Sequence, residues 1–546
     1  VKKSLVKMLT DSLNRRTPDC LMLILTFLRK LSIFDENKDL MASNDVNTIF
    51  HLAKFVPCSH DKITQQVLRL LFNLSFDKSC RTKMVEVGFL PKLVDLLKKA
   101  PFRAKTIRVL YHLSADDTTK FLFSKTEAVP IVMQLVINFP QDTVAKELAA
   151  LAVNMSLDAA CAEQMTEHRG LTHLMGRVGD FGDVLICKVV RNISQWTFGE
   201  QRMITHATEH RELIKDQRRR IKRAERAARK GDTPEEDESG REDSDNEDDE
   251  EGLPVVHSYQ QRRLWGEHVG HILKMAMDCE SQEQNLLVEL LGTLGNFTEQ
   301  DLPKGTKWHS LIKEYNLCSF IGKLLVPGMS QNDVVLECCI LVGQMCCCPK
   351  SAVQIASSSL IRALHELWSD NDAEILLQLL TCYHRFLHFD ETREELLYST
   401  EAMADISDCV GRKHRGTREV AEKCLEMVLE HDRNEDGEIG ELGAQVRRRR
   451  FMAHNKEWME EVGSTGDRQD RVYRHGAYDS DDDEMGDFKY SDKESESDES
   501  DGGEEGGRAM FRSNGQKINV DTSGLSSGVE DSGDGSRGEY DGGWGQ

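Results

Sequence analysis

The feature that most constrains this chain is a short apolar phrase ending in serine that keeps returning. It reads FLRKLS at 27–32, VLRLLFNLS at 67–75, VLYHLS at 109–114, LAVNMS at 151–156 and VVRNIS at 189–194. The serines Ser32, Ser75, Ser114, Ser156 and Ser194 are spaced 43, 39, 42 and 38 residues apart. After a gap the pattern resumes more loosely at Thr298, Cys346 and Leu387, spaced 48 and 41. A period near forty belongs to helical solenoids built from two or three helices per unit. One such unit cannot bury its apolar stripe alone, whereas stacked neighbours share a continuous core, so the phrase reads as a packing seam.

Within a unit the spacing is helical. Val67, Leu70, Leu71 and Leu74 fall at i, i+3, i+4 and i+7, one apolar stripe. Further on come GFLPKLVDLL and, one period later, EAVPIVMQLV, in which Pro91 and Pro130 open apolar runs 39 residues apart. Proline suits the first turn of a helix, where its missing N–H has no intrahelical partner anyway. Strand-like alternation is scarce, and the expected fold is all-α.

The formal charge of −23 is concentrated rather than general. Residues 232–251 hold 13 acidic residues and one Arg, and residues 479–505 hold 14 acidic residues and two Lys, so each segment carries −12 and the rest of the chain about +1. Segments so polar cannot bury enough apolar surface to fold alone. The expected organisation is therefore repeats over 1–204 and a charged insert over 205–256. A second set of repeats follows over 257–433, then a capping segment over 434–475 and a disordered acidic Ser/Gly tail over 476–546. The chain opens on Val1 rather than Met, as a fragment would.

The 15 cysteines include no Cys-x-x-Cys pair, and no stretch is long and apolar enough to span a membrane. They read as small apolar residues in a reducing compartment. Cys338–Cys339 and Cys346–Cys348 lie in one apolar run and are expected to be buried thiols rather than metal ligands. Motifs that imitate catalytic or ion sites fail on context. GLSSG at 524–528 sits in a Gly/Ser/Asp tail with no strand or helix to strain it into a nucleophile elbow. KGTK at 304–307 lacks the upstream glycine of a phosphate loop. DRNEDGEIGELG at 432–443 follows a calcium loop until its twelfth position, where Gly443 replaces the bidentate glutamate. No catalytic constellation, cofactor or metal is implied.

Two residues before each repeating serine stands Lys30, Asn73, His112, Asn154 or Asn192, and Asn296 precedes Thr298 in the same way. Lying between apolar stripe positions, these side chains are expected to project from the array. Arg69, Arg108 and Lys188 stand one helical turn earlier, on the same face. A ladder of amides flanked by cations suits a polar, partly acidic partner segment; ordinary solvated helix positions would look the same.

Units of the form G-φ-φ-P-x-L-φ-x-L-L followed by a helix ending N-L-S resemble armadillo repeats. RNISQ at 191–195, GTLGNFTEQDL at 292–302, LIKEYNL at 311–317 and RFMAHNKEWMEEV at 450–462 are similar to the kinesin-associated protein family, non-motor subunits of heterotrimeric kinesin. The resemblance implies an armadillo-type solenoid whose asparagines line a groove and bond the backbone of an extended peptide. It implies a non-catalytic adaptor in cytoplasm, cytoskeleton and cilium. Such an adaptor binds the C-terminal tails of the motor subunits and links them to cargo for plus-end-directed and intraflagellar transport. The insert at 205–252 and the tail beyond about 476 depart from the family pattern. An importin- or catenin-like peptide receptor and an acidic chaperone of basic proteins are the rival readings.

The run RELIKDQRRRIKRAERAARK at 211–230 carries +7 beside an acidic block and has no interleaved aromatics, so a solvated helix is favoured over nucleic-acid binding. Ser244, Ser480, Ser491 and Ser495 each precede an acidic residue by three, the context of an acidophilic kinase. Trp458, on one helix face with Phe451, reads either as part of a cap on the last repeat or as an aromatic anchor for a partner.

Overall fold

The structure, a computed structural model, describes residues 2–198 and 265–455 apart from short gaps, the longest at 433–438. Among the described residues every regular element is a helix. A unit consists of a short, a middle and a long helix, as in Lys78–Glu86, Phe89–Leu97 and Ala100–Leu113. The short helix is capped by Asp77, whose carboxylate accepts the Cys80 N–H at 2.9 Å. In some units the turn into the middle helix takes a left-handed residue: Gly88 (φ +81°), Asn47, Arg169 and Asn316. Pro91 then falls in the first turn of the middle helix, as expected.

Numbering only the long helix of each unit gives α1 (Pro18–Leu31), α2 (Asp61–Leu74), α3 (Ala100–Leu113), α4 (Lys146–Ser156) and α5 (Val184–Phe198). Beyond the insert come α6 (Gln284–Gly295), α7 (Asn332–Met345), α8 (Ala373–Phe386) and α9 (Arg415–His431). Each packs against the next in order, and α5 packs against α6. The stack therefore runs straight past residues 199–264 without losing a step. This is the armadillo-type all-α solenoid, with a single apolar core extending from Val6 to Val446.

The repeated serine has a specific task. All five are fully buried. Each hydroxyl donates to the carbonyl three residues back at 2.7 Å, tying off the end of its long helix. The same oxygen then accepts from the next unit: Asn73 Nδ2 to Ser32 (3.2 Å), Asn154 to Ser114 (3.0 Å), Asn192 to Ser156 (2.9 Å) and Asn296 to Ser194 (2.8 Å). His112 Nδ1 takes the same place against Ser75 at 2.7 Å. Since the Ser75 hydroxyl proton is already directed to Phe72, Nδ1 is the donor. Each step is a relay from amide to hydroxyl to carbonyl, linking adjacent long helices. In the C-terminal units Cys346 and Leu387 stand where serine stood, and both are buried apolar groups.

The cysteines serve the same stacking. The Sγ atoms of Cys80, Cys161, Cys382 and Cys424 approach carbonyls 41 to 44 residues earlier, at 2.8 to 3.6 Å. Burial pushes the Cys80 and Cys424 thiols up to about 12, which keeps them protonated.

Across the insert the contact is ionic. Arg191 on α5 is buried between Glu289 on α6, at 3.2 Å, and Glu337 on α7. Lys188 supplies a second cation to Glu289 at 3.4 Å. Burial raises the Glu337 pKa while Arg191 opposes the rise. The guanidinium lies against Gly292, where an added Cβ would stand 2.3 Å from Arg191 Cζ.

At the C-terminal end, helix Glu441–His454 packs on α9 and on Ala402–Cys409, with Val446 fully buried. Phe451, placed on the capping face by sequence, is 60% exposed, so Val446 rather than Phe451 makes the contact. Asp432, first position of the calcium-like loop, uses its carboxylate to accept the Gly443 N–H at 2.6 Å. Half of that loop (433–438), like Trp458 and all four serines in acidic context, lies outside the described residues.

Gly292→Ala is expected to displace a guanidinium that two carboxylates and tight packing hold in place, leaving buried charge badly paired. The loss should be about 3 kcal/mol, read by urea unfolding of the full chain. A variant as stable as the parent would show that Arg191 can slide aside freely.

Candidate functional site

The amides do rise in file along successive long helices, but they do not project as the sequence suggested. Their nitrogens point back into the preceding unit. Asn73 also donates to the Arg29 carbonyl at 3.3 Å, and Asn192 to that of Val153 at 3.4 Å. Asn192 is 1% exposed and offers nothing to a partner. Asn73, Asn154 and Asn296 are half-buried, so what they can present outward is the carbonyl end, an acceptor. Lys188 is likewise engaged internally, at Glu289, and does not flank an open face.

Arg69 and Arg108 behave differently. Both are exposed on the ladder face. Arg69 reaches only Gln66 on its own helix at 3.4 Å, while Arg108 Nε lies 3.0 Å from Glu147 of the following unit in a half-exposed pair. Exposed pairs of that kind contribute little stability, about 0–1 kcal/mol, and exchange readily with another anion. The two arginines border a cavity of about 230 Å³ that spans α1, α2 and α3. Its floor is Leu68, Phe72 and Asn73, and its remaining walls are Arg29 and Lys105. Four cations thus surround one hollow, with no acidic residue in its lining. A second hollow, at the N-terminal end, mixes Lys7 and Arg15 with Asp11 and has no such bias.

Sequence reasoning found Arg69, Arg108 and Asn73 but missed Arg29 and Lys105. Arg29 lies beside the register position taken by Lys30, and Lys105 lies one turn before Arg108. Only the sideways offset between neighbouring helices brings them to the same opening.

His112 stacks on Phe72, with ring centroids 5.1 Å apart, and meets Phe76 edge-on at 4.4 Å. Burial, helped by the nearby Arg81 cation, pushes its pKa down to about 4, so the ring is neutral near pH 7. Elsewhere, Glu299, Cys347 and Cys348 bring a carboxylate and two thiols within 4.8 Å of one another. Cys347 donates to Glu299 at 2.8 Å, and the other oxygen of that carboxylate meets Lys307 at 3.3 Å. Such atoms could hold a soft divalent cation, but in this arrangement a thiol proton and an ammonium balance the carboxylate.

The model of the kinesin-associated protein (KAP) family matches residues 1–225 and 255–499. The chain belongs to that family. The match also narrows the two departures from the family pattern read from sequence. The basic run up to 225 and the first part of the acidic tail lie within the family's extent, and only 226–254 and 500–546 fall outside it. Among solved structures, an engineered protein is similar at 12% identity over 77% of this chain and 98% of its own, with TM-score 0.47. A structure concerned with a phosphorylation switch in the cadherin–β-catenin interaction is similar at 13% identity over 78% of each chain, with TM-score 0.48. The kinesin-associated family and its armadillo fold are of the non-catalytic, protein-binding kind. Among the described residues no helix is long and apolar enough to cross a membrane.

The sign of the His112 shift fixes a pH dependence. Between pH 6.5 and about 4 the unfolded chain binds a proton here that the folded chain resists. This rung's full contribution is therefore present above pH 6.5 and is lost as pH falls toward 4. His112→Asn, the residue used at other rungs, removes the titration. From pH 7 to pH 5 the parent should lose about 2 kcal/mol more than the variant in urea unfolding. Parallel losses would mean that the imidazole is freely protonated in the fold.

Proposed function

We propose that this chain is the non-catalytic adaptor subunit of a heterotrimeric kinesin. Its ladder face would receive the C-terminal tails of the motor subunits, and other surfaces would hold cargo or transport-complex proteins. Motor activity then resides in the partners, and the chain's part is to join them to cargo during plus-end-directed and intraflagellar transport. Its place would be the cytoplasm, the cytoskeleton and the cilium.

Family membership supports the class of partner, and the cationic opening across α1–α3 is the observation that carries the site. Arg69 and Arg108 supply charge. Asn73, Asn154 and Asn296 would accept N–H groups from an extended segment, and His112 with Phe72 and Phe76 gives an aromatic edge for apolar side chains to rest on. Lys188 and Asn192 take no direct part, because their contacts lie inside the stack. Trp458 as an anchor, and phosphorylation at Ser244, Ser480, Ser491 and Ser495, belong to the same proposal and lie outside the described residues.

Arg69→Glu/Arg108→Glu is the direct test. Both side chains are exposed and neither is part of the inter-unit relay, so circular dichroism should be unchanged. Capture of isolated motor tails should weaken at least tenfold, about 1.4 kcal/mol. Equal affinity in a folded variant would move the tail-binding site elsewhere on the chain.

A further inference from the structure

Arg29, Arg69, Lys105 and Arg108 place three guanidiniums and an ammonium around one hollow of about 230 Å³. Among the described residues Arg29 and Lys105 make no ion pair, and the nearest carboxylate engaged is Glu147, on the exposed side of Arg108. The cations come from three successive long helices, and the core and the serine relays fix the spacing of those helices. The four stems therefore start from fixed positions around one opening. The floor is not charged: Leu68 is fully buried, and Phe72 lies beside Asn73.

We propose that this hollow is a phosphate-binding site that reads a phosphoserine or phosphothreonine on a partner's extended segment. The inference deepens the adaptor reading by naming the chemistry of the bound segment, and it rests on the ladder face being the partner surface. A carboxylate brings one charge and two oxygens. A phosphomonoester brings about −1.5 to −2 and three strong acceptor oxygens, matching several cations at once. Guanidinium forks pair with phosphate oxygens in bidentate fashion, and three of the four cations here are arginines. The apolar floor fits the methylene or methyl that carries the phosphate. Seen from the partner, phosphorylation would strengthen capture rather than license it, because an unmodified serine leaves the cations unneutralised.

The measurement uses the full chain, immobilised, with a degenerate peptide library. The library has random flanks and a fixed central residue: phosphoserine, phosphothreonine, glutamate or serine. Phosphorylated peptides should be retained at least tenfold over the glutamate set, and free inorganic phosphate at millimolar concentration should compete. Arg29→Gln/Lys105→Gln should abolish the preference, while Arg29→Lys/Lys105→Arg should keep it. Near-ultraviolet circular dichroism should show both variants folded. Equal retention of glutamate and phosphoserine, or a preference untouched by the glutamine pair, would overturn the proposal. So would tighter retention of a short single-stranded oligonucleotide that the same pair releases, since the hollow would then be a nucleic-acid contact. Capture of unphosphorylated motor tails is measured alongside. Its failure counts against the adaptor surface, whereas loss of phosphate preference with tail capture intact counts against this site alone.

Discussion

The hydrogen-bond relay between neighbouring long helices is what the rest of the solenoid depends on. Apolar stripes supply the driving force for stacking, but a greasy face tolerates sliding: one leucine is much like another to its neighbour. A buried hydroxyl that must accept from the next unit tolerates very little, because a displaced amide would leave two polar groups dry and unpaired. Each relay contributes only about 1 kcal/mol net, yet its absence in a slipped stack would cost more than that. Register is thus enforced by penalty rather than by attraction. Serine suits the post because its short side chain can reach the carbonyl three residues back and still face the adjacent helix.

The same logic explains how the chain tolerates a charged excursion of more than sixty residues at 199–264. The excursion leaves after α5 and returns before α6, and the relay passes over it from Ser194 to Asn296. Arg191 reinforces the junction by reaching two helices beyond its own. A buried cation between two carboxylates is weak evidence for net stability. Opposite charges on α5, α6 and α7 favour this pairing, although Arg191 Nε and Glu337 Oε2 are left without a hydrogen-bond partner among the described residues. Gly292 is part of that fit, leaving space where any side chain would collide.

Much of this was legible in the sequence, and the limits follow a physical pattern. The period, the all-helical units, the first-turn prolines and the file of asparagines were readable because they repeat along one coordinate, chain position. What the asparagines do was not readable. A helical wheel places Asn73 between apolar positions but does not say whether the next helix lies close enough to receive its N–H. Lys188 failed for the same reason, its partner Glu289 being about a hundred residues away. Arg29 and Lys105 escaped because the hollow they share depends on lateral offset between helices, which sequence spacing does not encode. Periodicity put Phe451 on one helix face with Trp458, as cap or anchor, while the packing contact uses Val446, nearly a turn and a half earlier.

Turning the amides inward has a consequence for how such a scaffold can recognise anything. A ladder of free amides would grip the backbone of any extended chain and so discriminate poorly among partners. Here those donors are consumed in holding register, and the ladder face presents guanidiniums, aromatic edges and a few carbonyl oxygens instead. Under the proposed adaptor role, selection would then pass from the partner's backbone to its side chains, above all to their charge. The helices that carry these cations are held at fixed spacing, while the exposed guanidiniums keep much of their own side-chain freedom until a ligand arrives. The stiffness that the relay gives the stack would therefore set the spacing at which the exposed charges meet an anion. Such a face should also feel ionic strength, since its charges meet solvent and screening acts over about 8–10 Å at physiological salt.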